Sequence, residues 1–305
     1  MKKAIVTGAG GFLGSYLCNE LAKQGIEVFA VVRNKNSDVS RIDNSHNIKI
    51  VFCDMDNINS LPSIIKEKHI ECFYHFAWEG TSGKLRGDYT VQLKNIFYSC
   101  KAVEISKTLN CKKFVFASSI MEYEVYADMH TEENMNINTI YSSAKLEANL
   151  ISKILANNLG IQYNNGIITN VYGPKEHNSR LINSSIRKLL NGEHCAFSSG
   201  EQMYDFIYVT DAAQAFISIG FKGKPNREYY IGSSNPKPLK NFLLEMRDIV
   251  SPYAEIGLGE LESPNALLSY KEFNIDLLKI DTGFTPKYSF SEGIKLTADW
   301  IRGDK

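Results

Sequence analysis

The stretch VTGAGGFLG, residues 6–14, decides the fold. It lies between an apolar strand-like run and an apolar helical pattern. Gly8 allows a tight turn, Gly11 lets the backbone approach a pyrophosphate, and Gly14 lets the helix pack close to the strand. Leu13 stands where the third glycine of G-x-G-x-x-G would fall. The strand–turn–helix context nevertheless predicts a turn that binds a dinucleotide, with amide donors from the helix N-terminus.

Short apolar runs rich in β-branched and aromatic residues alternate with longer helical patterns through the first two thirds of the chain. Buried strands separated by helices indicate an α/β fold with a parallel sheet covered on both faces. The strand-like runs are KAIVTG, EVFAVV, IKIVFC, CFYHFA and KFVFASS, and the helical patterns cover residues 12–24, 57–68, 88–109 and 138–159.

The pattern loosens after NVYGP, residues 170–174, and prolines become frequent toward the C-terminus. We therefore predict two lobes in this chain. A dinucleotide-binding domain covers residues 1–170 and 206–236, and a smaller, discontinuous substrate lobe covers residues 171–205 and 237–305. A cleft between two such lobes is the usual place for a small-molecule site.

The composition excludes several classes of partner. Lys+Arg and Asp+Glu both number 34, so the chain has no broad cationic field for nucleic acid or for an anionic membrane surface. No apolar run approaches the roughly 18 residues of a membrane helix. The six cysteines show no C-x-x-C pair, and the six histidines show no metal-ligand spacing. We expect a cytoplasmic protein with no metal, disulfide framework, nucleic-acid partner or membrane partner.

The stretch AVVRNKNS, residues 30–37, bears on the choice of dinucleotide. An NAD-binding chain usually carries an Asp or Glu here for the ribose 2′-hydroxyl. This chain has Arg33, whose guanidinium can pair bidentately with a 2′-phosphate, and Lys35 adds to that charge. The stretch favours NADP over NAD, although a solvated charge at a strand end also fits. Asp54 ends the third strand, where it either accepts from an adenine amino group or caps the following helix.

A second set of residues indicates proton transfer. Tyr141 and Lys145 lie four apart in the helical stretch NTIYSSAKLEANL and so project from one face. A free phenol has a pKa near 10, and a lysine ammonium about 4 Å away would lower that pKa by about one to three units. Tyr141 would then exchange a proton with an alcohol or a ketone. Ser119 adds a hydroxyl at the end of the strand KFVFASS, where α/β sheets hold ligands.

Motifs along nearly the whole chain resemble those of the extended short-chain dehydrogenase/reductases, the family of nucleotide-sugar epimerases, dehydratases and reductases. They are, in family order, TGAGGFLG, YHFAWEG, ASSIMEY, YSSAK, NVYGP, YDFIYVTD, YYIGSS and TGFTP. The resemblance implies a Rossmann domain, a doubly wound parallel sheet, in which Ser119 orients the substrate oxygen and Tyr141 transfers its proton. Lys145 would hold the nicotinamide ribose and lower the pKa of the tyrosine. The resemblance also implies a homodimer that pairs helices 88–109 and 138–159.

The residues and the resemblance together define two predicted binding sites. Asn95 enters because the family often carries an Asn in the helix after the fourth strand, and Tyr123 matches a family Tyr that faces the substrate. Trp78 either lines the cleft or packs in the core. The predicted cofactor site comprises Gly8, Gly11, Phe12, Leu13, Gly14, Arg33, Asn34, Lys35, Asp54, Met55, Phe76, Ala77, Asn95, Tyr141 and Lys145. The predicted substrate site comprises Trp78, Ser119, Met121, Tyr123, Asn170 and Tyr204.

One departure from the family pattern bears on the reaction. Family dehydratases carry an Asp-Glu pair directly after the catalytic Ser or Thr, and that pair removes a β-hydroxyl. This chain has Ile120 and Met121 there, and neither side chain has a proton to give. We therefore expect a reductase or an epimerase and not a dehydratase.

Another departure bears on the substrate. Tyr204 replaces the family Arg that grips the diphosphate of a sugar nucleotide, and no clear match to a second such Arg occurs near residues 260–266. The diphosphate is therefore either absent or held by other cations. Lys175, Arg180 and Arg187 are candidates, and each also fits an ordinary surface charge.

We expect an NADP(H)-dependent oxidoreductase that acts on a sugar carbonyl or hydroxyl, as a reductase of a nucleotide-linked 4-keto-hexose. A net reductase draws NADPH from solution, so a 2′-phosphate clamp at Arg33 is useful to it. A nucleotide-sugar 4-epimerase with bound NAD is the close alternative, because the same Ser119, Tyr141 and Lys145 serve both reactions. A non-catalytic NADP(H) sensor is the alternative of another class, although sensors of this family typically lose the Tyr or the Lys.

Overall fold

The strands confirm the predicted α/β class. The computed structural model describes residues 1–67, 69–128, 139–177, 179–262, 268, 270 and 273–303. Its strands are β1 (Lys3–Thr7), β2 (Glu27–Val32), β3 (Ile48–Phe52), β4 (Cys72–His75), β5 (Lys113–Ser119), β6 (Gln162–Ile168), β7 (Asn170–Tyr172), β8 (Cys195–Phe197), β9 (Met203–Tyr204), β10 (Phe206–Tyr208), β11 (Glu228–Ile231), β12 (Lys237–Pro238) and β13 (Ile256–Leu258).

Helices follow most of the strands, as the alternating pattern predicts. Two short 3₁₀ turns, Met55–Ser60 and Lys84–Gly87, lie between strands and helices on the cleft side. The helices are α1 (Phe12–Lys23), α2 (Leu61–Ile64), α3 (Tyr89–Thr108), α4 (Glu122–Asp128), α5 (Thr139–Asn158), α6 (Leu181–Leu190), α7 (Val209–Lys222), α8 (Leu239–Val250), α9 (Leu277–Thr282) and α10 (Phe290–Gly303).

The predicted helix over 57–68 is wrong in detail. A 3₁₀ turn covers its first part, Asn57 has non-helical angles (φ −114°, ψ 21°), and α2 then begins with Pro62 in its first turn. Proline lacks the amide that would continue an existing helix, but its fixed φ suits the start of a new one. Lys68, the last residue of the predicted helix, and Asn138, the first of the helix predicted over 138–159, lie outside the described residues.

Seven parallel strands form the main sheet in the order β3-β2-β1-β4-β5-β6-β11. This is the doubly wound order of a Rossmann sheet, with β11 added beyond β6. The order reverses between β1 and β4, where Thr7 pairs with His75 in the register. Ligands of open α/β sheets bind beyond the carboxyl ends of the strands at such a reversal. The fold therefore places a ligand site above Thr7 and His75.

Both faces of the sheet are buried, so the strands are apolar throughout. In β1, Ala4 and Val6 join the core that packs against α1 and α7, whereas Ile5 joins the core against α3 and α5. Successive side chains of a strand point to opposite faces, and here each face is covered by helices. Each large apolar side chain buried in this way contributes roughly 1.5–3 kcal/mol of hydrophobic stabilisation.

A third apolar core lies away from the main sheet. It joins α6, α8 and α10 with the strands β8 and β10 through residues such as Ile186, Leu243 and Ile294. Three two-stranded sheets accompany it: β7 with β10, β8 with β13, and β9 with β12. Tyr172 and Phe206 belong to this core, although both flank predicted boundaries between the lobes. The two-lobe division stays a prediction.

Three further properties concern the described part of the chain alone. No helix in it is both long enough and apolar enough to cross a membrane. No group of three or more His, Cys, Asp or Glu side chains in it could hold a metal ion. All six cysteines are free, and only Cys100 is not fully buried.

Candidate functional site

The glycine turn after β1 is built as its sequence suggests. Gly8 has φ +68°, a left-handed conformation that glycine adopts without strain. The Gly11 amide donates to the Gly8 carbonyl over 3.0 Å and closes the turn. A Cβ on Gly14 would lie 2.3 Å from the Gly8 carbonyl oxygen, so only glycine lets α1 approach this closely. Phe12 and Leu13 form the first turn of α1 and are partly buried.

A cleft of about 710 Å³ opens above the carboxyl ends of β1 to β4, at the reversal of strand order. Its dimensions and the glycine turn at its floor fit an extended dinucleotide. Of the predicted cofactor and substrate residues, it is lined by Gly8, Gly11, Arg33, Asn34, Asp54, Met55, Phe76, Ala77, Trp78 and Asn95. Lining residues that the sequence did not single out include Asp38, Asp56, Glu79, Lys94 and Tyr98.

Arg33 stands at the mouth of the cleft with its side chain 58% exposed. Its Nη2 lies 3.5 Å from Glu79 Oε1, and its Nε lies 3.8 Å from Asp54 Oδ2. Ion pairs of this exposure contribute little to stability, so the guanidinium can exchange partners readily. Lys35 is exposed but lies outside the cleft lining. Asn34 uses its side chain locally, accepting from the Asn36 amide over 2.9 Å.

Asp54 takes the second of its two predicted roles. Its side chain accepts from the Asp56 amide over 3.2 Å and caps the 3₁₀ turn Met55–Ser60. Beside it, the Asp56 carboxylate accepts a short hydrogen bond from the Tyr98 hydroxyl. On this side of the cleft, the Arg33 guanidinium therefore lies beside carboxylates, those of Asp54 and Glu79.

Asn95 fixes the backbone that follows β4. Its Oδ1 accepts from the Glu79 amide over 3.0 Å and its Nδ2 donates to the Glu79 carbonyl over 2.8 Å. Gln92, one turn earlier on α3, donates to the carbonyls of Gly80 and Leu85 and accepts from the Trp78 indole. These buried amides fix the segment 79–87, whose first residue, Glu79, lines the cleft.

The end of β4 is held by neutral groups. Phe76 and Ala77 donate their amides to the Thr7 hydroxyl over 3.2 and 3.3 Å. Thr7 also shares a hydrogen bond of 2.9 Å with His75 Nδ1. Burial lowers the pKa of His75 to about 3, so this ring stays neutral and serves packing.

Ser119, Tyr141 and Lys145 come together where β5 ends against the first turns of α5. The Ser119 hydroxyl hydrogen-bonds with Tyr141, and both Tyr141 and Lys145 are buried. Lys145 Nζ donates to the Ala117 carbonyl over 2.9 Å and lies 3.7 Å from the centre of the Trp78 ring. Trp78 thus lines the cleft and packs against the lysine at once, so its two predicted roles are both filled.

Burial dominates the electrostatics of this cluster, and the expected effect of Lys145 on the pKa of Tyr141 stays a prediction. Burial raises the pKa of Tyr141, and the largest opposing influence is the Arg86 guanidinium. Burial also lowers the pKa of Lys145 to about 7, so the lysine is only partly charged at neutral pH. Its Nζ is directed to a carbonyl and an indole ring rather than to the phenol.

Arg86 is the residue of this site that sequence reasoning missed. Its guanidinium carbon lies 4.1 Å from the centre of the Tyr141 ring. The stretch TSGKLRG around it has neither a strand nor a helix period, so the sequence indicates only a loop. The position of Arg86 depends on the fold, because Gln92 and Asn95 hold its loop against α5.

The predicted substrate residues form two groups. Met121 donates its amide to the Ser119 hydroxyl over 3.2 Å, and Tyr123 packs edge-on against Phe273 nearby. Asn170 and Tyr204 lie on either side of β10: the Asn170 amide donates to the Asp205 carbonyl, and the Tyr204 ring stacks on Phe206. The first group follows β5 and the second lies on β7 and β9, and their shared role in a substrate site stays a prediction.

Two of the three cations proposed to replace the family Arg, Arg180 and Arg187, contact Glu176. Arg187 donates to the Glu176 carbonyl over 2.7 Å, and Arg180 Nε lies 3.8 Å from Glu176 Oε2. Arg180 also acts on Tyr141, where its charge opposes the rise of the phenol pKa. Lys175 has a left-handed backbone with φ +65°. In the stretch 260–266, residues 263–266 lie outside the described residues.

Glu122 is a second buried acid-base group beside the cluster. It begins α4, its Oε2 accepts from Asn149 Nδ2 over 3.1 Å, and its Oε1 has no hydrogen-bond partner among the described residues. Burial raises the pKa of Glu122 to about 8, so this carboxyl holds its proton at neutral pH.

The fold and the site define a dinucleotide-binding enzyme of the Rossmann class. The family model described as "NAD dependent epimerase/dehydratase family" matches residues 4–232. The chain therefore belongs to that family, which confirms the resemblance stated from the motifs.

Individual relatives are distant but match nearly full length. CDP-abequose synthase of Salmonella typhimurium is 26% identical over 301 residues, with 95% of each chain covered. Human dTDP-D-glucose 4,6-dehydratase is 22% identical, with 99% of this chain and 90% of that protein covered. Among solved structures, UDP-glucose 4-epimerase of Thermotoga maritima superposes with a TM-score of 0.81 at 21% identity, covering 99% of both chains. That structure shares the fold.

The expectation that this chain is not a dehydratase is wrong. A relative named as a dehydratase matches 99% of the chain, so apolar residues at 120 and 121 do not separate it from such enzymes. A proton donor need not lie at those two positions. The structure places a protonated carboxyl one residue further on, at Glu122.

Proposed function

We propose that this protein is an NADP(H)-dependent oxidoreductase that reduces a carbonyl on a nucleotide-linked hexose, as a 4-keto-hexose reductase. The observation that carries the proposal is Arg33, whose exposed guanidinium stands at the end of β2 over the dinucleotide cleft. A 2′-phosphate offers more charge and better bidentate acceptors than the carboxylates that Arg33 now contacts. Two relatives carry names that refer to nucleotide-linked sugars, which supports the substrate class.

The residues present fit the dinucleotide: Gly8 and Gly11 line the cleft, and a Cβ on Gly8 or Gly14 would strike neighbouring backbone, so only glycines allow the tight turn there. Gly8 and Gly11 would hold the pyrophosphate, and Arg33 the 2′-phosphate. The bound dinucleotide supplies or accepts the hydride. Tyr141 holds the proton that moves to or from the substrate oxygen, and the Ser119 hydroxyl orients that oxygen.

A 4-epimerase with retained NAD is the second candidate, and one observation favours it. Arg33 already lies between the carboxylates of Asp54 and Glu79, so a 2′-phosphate would have to compete with both. A carboxylate in this place is also the group that accepts from the ribose 2′-hydroxyl of NAD.

A homodimer belongs to the same proposal. α3 and α5 pack side by side and leave large apolar side chains exposed along their outer faces. Such a contiguous apolar surface is typical of a protein–protein interface. The exposed residues are Tyr89, Leu93, Phe97, Leu150 and Ile154.

The test is a product analysis with NADPH and a nucleotide-linked 4-keto-hexose. A reductase consumes NADPH in proportion to the alcohol formed. An epimerase interconverts two 4-epimers of a nucleotide-linked hexose without net consumption of NADPH. A dehydratase releases water from such a hexose, also without net consumption of NADPH. We expect proportional consumption of NADPH. Product formation without NADPH consumption would overturn the reductase assignment and leave epimerisation or dehydration as the reaction.

A further inference from the structure

Lys145 carries its charge in a place where the fold makes that charge costly. Its side chain is 5% exposed, and burial lowers its pKa to about 7. The family resemblance gives this ammonium the task of lowering the pKa of Tyr141, a task that a neutral amine does not perform. When a pKa lies near 7, even a small stabilisation of the ammonium changes the charged fraction at neutral pH. The groups in contact with Nζ therefore decide how much of the charge is kept.

The indole of Trp78 is the nearer of two aromatic rings that face this ammonium. Lys145 Nζ lies 3.7 Å from the centre of the Trp78 ring and 5.1 Å from the centre of the Phe116 ring. The face of an aromatic ring carries partial negative charge and attracts a cation within about 6 Å of the ring centre, most strongly in tryptophan. Nζ also donates to the Ala117 carbonyl over 2.9 Å. Trp78 therefore adds an electrostatic stabilisation of the ammonium that a hydrogen bond to a carbonyl does not replace.

The Trp78 ring is fixed in this position by a buried amide. Its Nε1 donates to Gln92 Oε1 over 2.9 Å, and Gln92 is itself buried and donates to the Leu85 carbonyl over 2.9 Å. The indole also lies edge-on to the Tyr141 ring, with the two ring centres 6.1 Å apart. The same ring therefore contacts both members of the Tyr–Lys pair, and it does not have to move when the lysine becomes charged.

We propose that Trp78 is a positioning residue that holds Lys145 in its ammonium form, beside Tyr141, by a cation–π contact. This inference deepens the proposed function and rests on it, because it concerns the charge next to the proton donor of that reaction. The side chain of Trp78 also lines the cleft, so the contact with Lys145 is in addition to that role.

Other ionisable groups face Lys145 from the elements packed around it. Glu122, at the start of α4, raises the pKa of Lys145 when it is charged. His75 on β4 is kept neutral mainly by burial, and the charge of Lys145 lowers the pKa of His75 further. Tyr141 lies one turn earlier on α5, and the Arg86 guanidinium lies 4.1 Å from the centre of its ring. A change confined to the π electrons of the indole leaves all four groups in place, so its effect on the lysine can be isolated.

The experiment replaces ring hydrogens of the indole with fluorine. Trp78 and Trp300 are the only tryptophans of the chain, so in a Trp300→Phe background a supplied fluorotryptophan enters at position 78 alone. Ring fluorines withdraw π electron density with little change of shape, and the N–H that bonds to Gln92 is kept. Because a charge against the ring alters its emission, indole fluorescence is titrated with pH without substrate or nucleotide. The step that is lost in Lys145→Met but kept in Tyr141→Phe reports the lysine.

We expect the midpoint of the Lys145 step to fall progressively as ring fluorines are added. The fall should reach about half a pH unit to one and a half pH units at the highest substitution, as for the loss of a cation–π contact. Trp300 is the matched position, because its ring contacts His177 instead. In a Trp78→Phe background its emission should show no step that depends on Lys145, and such a step would overturn the inference.

A midpoint that is the same throughout the fluorine series would also overturn the inference and leave Trp78 a packing residue. If the fluorinated protein does not fold, Trp78→Phe keeps a weaker π face and Trp78→Leu keeps none. The limb of the kcat pH profile that depends on Lys145 should then move further in Trp78→Leu, and equal movement in the two variants would contradict the proposal. The fluorescence titration needs no substrate, so its result is separate from any failure of the proposed reductase activity.

Discussion

The two ends of the cleft use charge in opposite ways. At the outer end, the side chains of Arg33, Asp54 and Glu79 are 58%, 38% and 47% exposed and form loose ion pairs. The inner end is the buried cluster behind the lining residue Trp78: Tyr141 and Lys145 contact Trp78 without lining the cleft, they are 6% and 5% exposed, and burial shifts the pKa of each. Water screens the outer charges, so their partners can be exchanged at little cost. The outer end is suited to choosing a ligand, and the inner end is suited to moving a proton.

The largest expected effect tests the inner end. Tyr141→Phe removes the proton donor and nothing else, so turnover should fall by about 10²–10⁴-fold while nucleotide affinity stays unchanged. Parallel assays of turnover and nucleotide titration check this. Tyr253→Phe is the matched control, because Tyr253 is 99% exposed. Unchanged turnover in Tyr141→Phe would mean that Tyr141 does not transfer the proton, whereas nucleotide binding without turnover in the wild type would favour a non-catalytic sensor.

The next largest expected effect tests the glycine turn after β1, at the floor of the cleft. Gly14→Ala places a Cβ 2.3 Å from the Gly8 carbonyl, so α1 or the turn must move. We expect nucleotide affinity to drop at least tenfold, together with about 1–3 kcal/mol of lost stability, as for overpacking elsewhere. Titration of nucleotide and thermal unfolding measure the two losses. Gly303→Ala, where nothing lies within 4 Å of the added Cβ, should change neither; equal behaviour of the two variants would refute the close approach.

The smallest expected effect tests whether burial raises the pKa of Glu122, which lies beside Tyr141 and Lys145. The pKa of Glu122 is raised from 4.5 to about 8, so the folded state binds more protons than the unfolded state between these values. Its contribution to stability is therefore complete below pH 4.5 and is lost as the pH rises through about 8. The side chain in Glu122→Gln does not titrate. As the pH rises from 4.5 to about 8, the free energy of unfolding of this variant should therefore rise by about 1–3 kcal/mol relative to that of the wild type.

Denaturant unfolding at several pH values measures that gain. Lys145 titrates with the opposite slope, because a lowered lysine pKa makes stability rise with pH above about 7, but it does so in both proteins. Glu147→Gln, an exposed change on α5, should follow the wild type. Parallel stability curves for Glu122→Gln and the wild type would show that Glu122 ionises normally.

The sequence predicted those parts of the molecule that depend on neighbouring residues. The glycine turn, the strands around it and the pairing of Tyr141 with Lys145 on one helix follow from local patterns, and the structure has them. Pro62 also marks a break in the sequence, although the helical pattern over 57–68 continues through it. Local chemistry decides each of these features.

The remaining features depend on segments that are distant in the chain. Arg86 reaches Tyr141 only because Gln92 and Asn95 hold its loop, and no period in the sequence reveals that. The direction of Lys145 depends on the Ala117 carbonyl and the Trp78 ring, which come from two other strands' ends. The pKa values of Tyr141 and Lys145 also depend on distant segments, since burial is a property of the whole fold.

The central claim is that the outer end of the cleft selects NADPH, and nucleotide selectivity tests it most directly. Fluorescence titrations of NADPH and NADH are made on the wild type, on Arg33→Ser and on the control Lys112→Ser, whose exposed side chain lies outside the cleft lining. We expect tighter NADPH binding, reduced about 10–100-fold by Arg33→Ser, as for a lost charge-assisted hydrogen bond, and little changed by Lys112→Ser. Tighter binding of NADH by the wild type, or co-purified NAD that does not exchange, would contradict it and favour the epimerase.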